Sequence, residues 1–333
     1  MGLSVVLVVA SFMALLLTGS IAIPPAEVFN VLFGGEGSHP YVATVVLESR
    51  LPMAIGAACC GATLSVAGLM MQTLFHNPLA GPTVLGISSG ASLGVAVFML
   101  GGAGMLLEPE WQPLVSTVAA MAGGLVAIMA LFSFSSVLKS GVSLLIVGLM
   151  LSYLCSSAIS LLNYFSPADE IRSYLVWGLG SFTGLRLNTA VILLVLSAVI
   201  LLPAQLFAKP LNAMLAGERY VESVGYSVKR LRGWLLFSTG LLVAAPTAFC
   251  GPIGFIGLIV PHICRLLFRT SNHRLLLPAC IVVGALVSLL CALVAVVPSA
   301  GFGVLPVNVI TPVIGVPVIL YLLVNRNRLP YFS

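Results

Sequence analysis

The sequence predicts an all-α integral membrane protein of about ten transmembrane helices, both termini cytoplasmic, built as one domain over residues 1–333. Three observations carry this expectation: a composition too apolar for a soluble fold, charge-free stretches of membrane-spanning length, and Pro and Gly breaks that divide the longest of them. Of the 333 residues 60% are hydrophobic and 7% charged, with a mean hydropathy of +1.17. An ordinary soluble domain carries about 25% charged residues. A bilayer core of about 30 Å takes roughly 20 apolar residues per helix. No Asp, Glu, Lys or Arg occurs in 1–26, 51–107, 111–138, 140–168, 187–208, 233–264 or 275–325.

Pro ends or kinks a helix because it lacks a donor and clashes with the preceding turn. The long stretches are therefore cut at His76-Asn77-Pro78, at Gly81-Pro82, at Gly251-Pro252 and between Pro298 and Pro306. The spans that result are approximately 3–23, 51–74, 83–101, 113–136, 142–165, 187–207, 233–250, 253–268, 276–297 and 306–324. The span at 253–268 is short for a full crossing. The first has no basic flank and no clear small-residue cleavage site, so it reads as a retained span rather than a removed signal peptide.

Orientation follows from Lys and Arg, which stay in short cytoplasmic loops. With ten spans and both termini inside, 11 of the 14 basic residues fall on the cytoplasmic side, while Arg50, Arg172 and Arg186 lie outside. The acids divide the other way: only Glu218 and Glu222 are inside. Small residues spaced four apart let helix backbones approach in lipid. Such ladders stand at Ala57/Gly61/Ser65, Ala119/Gly123/Ala127 and Gly284/Ser288/Ala292.

The chemistry that is missing narrows the function. Every acid is in a loop or at a span end, whereas an ion-coupled carrier usually keeps an ionisable group at membrane depth. His76 and His262 sit beside Pro near span ends, which favours capping or packing over a proton relay. The seven cysteines are scattered without metal-ligand spacing and read as small packing residues. There is no HExxH, no paired Asp and no GxxxxGK[ST] phosphate loop. The chain is expected to be no enzyme and to bind no metal or cofactor, so any ATP-Mg sits on a separate subunit.

Two turns and one polar segment stand out. Asn77-Pro78-Leu79-Ala80-Gly81-Pro82 reads as a double-Pro turn at a cytoplasmic helix end, where Asn77 can satisfy backbone groups left unpaired by Pro78 and Pro82. Gly251-Pro252-Ile253-Gly254-Phe255-Ile256-Gly257 reads as a tight external reversal. Residues 211–232 form the longest polar stretch on the cytoplasmic face, with Glu218 and Glu222 one helical turn apart. Two acids facing anionic lipid argue against a helix that merely lies on the membrane.

Three segments resemble the FecCD-type permease family of ABC importers, which carry siderophore iron, haem and cobalamin. The first is Arg50-Leu51-Pro52 with the run from Gln72 through Asn77, Pro78 and Pro82 to Ala91; the second is GPIGFIGLIVPHICR, from Gly251 and Pro252 through Pro261 and His262 to Arg265, continuing to Pro278; the third runs from Leu305 to Pro317. The likeness extends along nearly the whole chain. It implies a bacterial inner-membrane protein working as a homodimer, with two ATPase subunits beneath it and a periplasmic or lipid-anchored substrate-binding protein above. Membrane lipid surrounds it, and nucleic acid is not an expected partner.

By the same resemblance the polar segment is the coupling helix that docks on the ATPase, through Leu215, Gly217, Glu218, Tyr220, Glu222, Val224 and Gly225. Arg50, Arg172 and Arg186 would dock the binding protein. Lys139, Ser140, Gly141 and Ser143, before the fifth span, would form the inner gate. The sequence departs from the family pattern where Met53 replaces a second Arg, where residues 291–303 lack an Asp and an Arg, and where Asn308 replaces a Gly. A secondary transporter or exporter working alone is the alternative reading.

Overall fold

The computed structural model describes residues 1–19, 21–35, 39–102, 108, 110–138, 141–296 and 303–324, and among them every regular element is helical. Six helices are long and apolar enough to cross a membrane: Tyr41–Leu74, Gln112–Ser135, Gly141–Phe165, Leu187–Leu215, Val228–Cys250 and His273–Val296. Four shorter apolar helices, Gly2–Leu17, Ile87–Leu100, Ile256–Phe268 and Val307–Tyr321, stand at the remaining expected spans.

In chain order, α1 (Gly2–Leu17), α2 (Pro25–Leu32) and α3 (Pro40–Val45) precede α4 (Leu51–Leu74), which α3 enters through one π turn at Val46–Arg50. A 3₁₀ turn (Pro82–Leu85) leads to α5 (Ile87–Leu100), followed by α6 (Gln112–Val137), α7 (Gly141–Phe165), α8 (Ala168–Gly178) and α9 (Leu187–Ala204). Two short helices, α10 (Ala208–Leu215) and α11 (Glu218–Ser223), precede α12 (Val228–Cys250), α13 (Ile256–Phe268), α14 (His273–Val296) and α15 (Val307–Val324).

Helix α4 is the central pillar. Nearly all its residues are buried, because α9, α12, α13 and α14 surround it. The small-residue ladders explain how neighbours come so close. A Cβ on Gly61 would lie 2.1 Å from the Gly284 carbonyl oxygen, and one on Gly284 would lie 2.2 Å from Ser65 Oγ. The first and third ladders are thus each other's partners. The second, on α6, meets Gly90 and Gly94 of α5, where a Cβ on Gly94 would lie 2.1 Å from the Ala119 oxygen.

One sequence expectation is corrected. Residues 251–255 are not a tight reversal at the surface. A Cβ on Gly56 would touch Cys250 Sγ at 3.8 Å, whereas one on Gly68 would lie 1.6 Å from the Gly257 oxygen. Between residues 250 and 257 the chain therefore descends from the level of Gly56 to that of Gly68, roughly 18 Å along α4. Residues 251–255, which make most of that descent, are not helical. Helix α13 starts at that depth, and its 13 residues give about 20 Å, too short for a full crossing.

Candidate functional site

Non-helical backbone is tolerated at membrane depth only where it is buried in protein or lines a cavity. Residues 252–255 do the latter: they wall a cavity of about 630 Å³. Ser88 and Ser92, one turn apart on α5, face it together with Ser89. From α7 come Ser156, Ile159, Ser160 and Asn163, whose spacing places them on one helix face. Thr83 of the 3₁₀ turn, Tyr174 of α8 and Asn308 of α15 complete the polar lining. Among the described lining residues none is Asp, Glu, Lys, Arg or His. The wall offers hydroxyls and carboxamides, and the buried Asn163 Oδ1 has no hydrogen-bond partner among the described residues.

The first two sequence motifs meet each other directly, Pro78 with His262 and Pro82 with Gly257. His76, at φ +46°, closes α4: its N–H donates to the Thr73 carbonyl and the Asn77 N–H to that of Gln72. This Schellman arrangement satisfies carbonyls at the helix end. Asn77 Oδ1 then accepts from the Leu79 N–H at 2.9 Å. Pro261 denies the Gly257 carbonyl its donor within α13, and that carbonyl faces Gly68 instead. His262 Nε2 donates to the Pro78 carbonyl at 2.8 Å, and Pro82 packs on Gly257. Buried Arg265 donates to Gln72 Oε1 at 2.7 Å, while Gln72 Nε2 donates to the Leu258 carbonyl. Both histidines thus pack and cap, as their Pro neighbours suggest.

The α10–α11 segment is bolted to the bundle at this end. His76 Nε2 donates to the Met214 carbonyl at 2.8 Å. Asn212 Oδ1 accepts from both the His273 N–H (2.8 Å) and His273 Nδ1 (2.9 Å). A carboxamide oxygen can only accept, so Nδ1 carries the proton. His273 Nε2 lies 2.7 Å from Thr73 Oγ1, which completes a path from α10 through α14 to α4. Beyond these anchors Leu215, Tyr220 and Val224 are 47%, 52% and 52% exposed, an apolar trio on the surface. Gly217 and Gly225 both take positive φ, at +98° and +89°. Glu218 is engaged within the chain, 2.6 Å from buried Arg232, whereas Glu222 is exposed.

The three outer arginines do not form one group. Arg50 is corrected from an exposed docking charge to a buried one: its guanidinium donates to the Leu16 carbonyl at 2.8 Å and to the Ile21 carbonyl, closing the end of α1. The reason is that helix-terminal carbonyls need donors. Arg172 and Arg186 are exposed. Of the gate residues, Lys139 and Ser140 lie outside the described residues. Gly141 begins α7 with Phe75 at 3.3 Å from its would-be Cβ, and Ser143 is half-buried on the first turn.

Sequence reasoning gave no role to Asn212, Gln72, Thr73 and His273, nor to the serine and asparagine lining of the cavity. For Gln72, Thr73 and the cavity lining the available signal was a hydrogen-bonding side chain inside a charge-free stretch, whereas Asn212 and His273 lie among charged residues and carry no such mark. Serines and threonines commonly back-bond to their own helix, as Ser152 does to Gly148, so that signal is diluted. Among the described residues no cluster of His, Cys, Asp or Glu could hold a metal, and all seven cysteines are free and buried.

A polytopic helical bundle with a charge-free polar cavity beside a broken helix defines a membrane transport protein, because discontinuous helices are where such folds place their cargo sites. The profile of the FecCD transport family matches residues 6–325, and the chain belongs to that family. It is 36% identical over 295 residues to the vitamin B12 import system permease protein BtuC of Escherichia coli strain UMN026, covering 88% of each chain. The BtuC protein of strain E2348/69 is 35% identical over the same coverage. A solved inward-facing structure assigned to the metal-chelate type of ABC transporter superposes with a TM-score of 0.83 at 28% identity, covering 97% of both chains. A structure of PsaBC from Streptococcus pneumoniae in complex with Fab shares the fold at a TM-score of 0.55 and 16% identity, over 89% of this chain and 94% of that one. The chain is a multi-pass permease subunit of an ABC importer of this type.

Proposed function

We propose that this permease carries a corrinoid, or a metal chelate with a similarly uncharged, amide-bearing rim, inward across a bacterial inner membrane. The observation that carries the reading is the cavity wall, which presents hydroxyls and carboxamides with no fixed charge among the described lining residues. A highly anionic chelate entering such a wall would lose water without gaining a counter-charge, which costs several kcal/mol per ion. An amide rim exchanges hydrogen bonds with it. The vitamin B12 permeases among the relatives agree with that cargo.

Two copies would enclose the path. Ser156 and Ser160 of the cavity are exposed in the single chain, and beside them α7 exposes Leu149, Tyr153 and Leu154. A second copy packed there closes the cavity on its open side. ATP hydrolysis belongs to partner ATPases that receive the apolar trio of α10–α11, and a binding protein meets the face that carries Arg172 and Arg186. Both termini stay in the cytoplasm, as the basic loops require.

The test is uptake into proteoliposomes that hold the chain with its ATPase, in the presence of its binding protein. We expect ATP-dependent accumulation of cyanocobalamin that persists when the proton gradient is collapsed. Uptake of a ferric tris-catecholate with no cobalamin uptake would overturn the cargo reading, and uptake without ATP would overturn the importer reading. Docking has its own measure: reversing both Arg172 and Arg186 to Glu should slow binding-protein association about tenfold at low salt, because such charges govern encounter more than total affinity. An association rate indifferent to salt and to both reversals removes these arginines from the interface.

A further inference from the structure

The non-helical wall of the cavity is held by one side chain from another helix. Asn308 Nδ2 donates to the Pro252 carbonyl at 2.6 Å, and the Gly254 N–H donates to Asn308 Oδ1 at 3.0 Å. Backbone groups at membrane depth need partners of this kind. Asn308 is itself positioned by the backbone, since its N–H donates to the Leu179 carbonyl and the Val307 N–H to that of Gly180. The 179–181 turn then returns to α12, where the Ser181 N–H donates to the Cys250 carbonyl at 2.9 Å. Three stretches far apart in the chain are sewn together around one carboxamide.

The fit leaves little slack. Gly180 has φ +68°, and a Cβ there would lie 3.1 Å from the Pro252 oxygen and 3.3 Å from Asn308 Nδ2. Phe255, at the far end of the pinned stretch, is held at φ +67°, a conformation that side chains other than Gly adopt only when their surroundings impose it. Pro252, Ile253, Gly254, Phe255 and Asn308 all line the cavity.

We infer that Asn308 is a positioning residue for transport: its carboxamide clamps residues 252–255 in their non-helical form and so sets the shape of the cargo cavity. The chemistry is specific. A carboxamide on a short arm supplies one donor and one acceptor together, whereas Asp keeps the acceptor only and Ala supplies neither. This inference rests on the cavity being the transport path, and its first test does not depend on cargo or ATPase.

Ser89 lines the same cavity and is half-buried, and the native cysteines are buried, so Ser89→Cys reports on the wall. The rate of labelling of Ser89→Cys by a small hydrophilic maleimide, measured on the purified full chain in lipid nanodiscs, should rise at least fivefold when Asn308→Ala is added. Asn308→Asp, which keeps one of the two bonds, should give a smaller rise and serves if the Ala variant does not fold. An unchanged or slower rate in the folded variants overturns the clamp. In the assembled transporter cargo moved per ATP hydrolysed should fall about tenfold for Asn308→Ala and less for Asn308→Asp. Equal losses in hydrolysis and transport mark a merely structural residue and overturn the positioning role. Normal labelling changes with no transport of any chelate by the unmodified protein would fault the functional reading and leave the clamp standing.

Discussion

Gly217→Pro is expected to lower cargo-stimulated ATP hydrolysis by the assembled transporter at least tenfold while the amount of chain inserted in the membrane stays unchanged. Gly217 joins α10 to α11 at φ +98°, ψ 161°, a conformation essentially confined to Gly. Pro locks φ near −65° and has no N–H. The variant thus loses the bond from the Gly217 N–H to the Met214 carbonyl and re-aims α11. Leu215 precedes the joint and Tyr220 and Val224 follow it, so the exposed trio no longer forms one surface. No membrane helix is altered, because His76, Asn212 and His273 hold α10 from the other side. The check is ATPase activity beside co-purification of the ATPase subunit. Wild-type values for both would move the coupling surface elsewhere.

Gly68→Ala is expected to prevent stable folding, because among the described glycines its added methyl meets the closest backbone atom. The added Cβ would lie 1.6 Å from the Gly257 oxygen, 2.5 Å from its carbonyl carbon and 2.9 Å from its Cα. All three are backbone atoms, so no rotamer change relieves the clash. Overpacking that side chains can absorb costs about 1–3 kcal/mol; here α13 must leave α4, taking the Arg265–Gln72 and His262–Pro78 bonds with it. Gly178→Ala, where nothing lies within 4 Å of the would-be Cβ, is the matched comparison and should behave as wild type. Thermal unfolding in detergent decides the matter: equal midpoints for the two variants would show that α4 and α13 are not in backbone contact.

Much of the architecture was legible because it is written locally. Apolar length and the Pro and Gly breaks predict where helices lie, and among the described residues six membrane-length helices and four shorter apolar ones stand at those places. The ladders were visible as small residues four apart, although their pairing, Gly61 with Gly284 and Gly123 with Gly90, was not. The α10–α11 segment was legible as the longest polar stretch and as a family likeness. Its geometry agrees in exposing Leu215, Tyr220 and Val224, but it turns Glu218 inward to Arg232. The reading of residues 251–257 failed for an identifiable reason. Gly and Pro signal a break in a helix, and nothing in their order says whether the break lies at the membrane surface or 18 Å inside the bundle, roughly the drop implied by the helical rise along α4.

Sequence alone determined that this protein is a multi-pass helical bundle, which end of it is basic, where its helices break and to which family it belongs. Those properties depend on hydrophobic length, charge placement and short motifs, each contained within a few turns of chain. The tertiary structure decided which polar groups act. Arg50 reaches carbonyls 34 and 29 residues away and so is buried rather than offered to a partner. Arg265 finds Gln72 across 193 residues, His273 finds Asn212 across 61, and Asn308 finds Pro252 across 56. In an apolar medium a polar side chain takes whatever partner the packing brings within 3 Å or so, and packing between distant helices is a global outcome that no local pattern encodes.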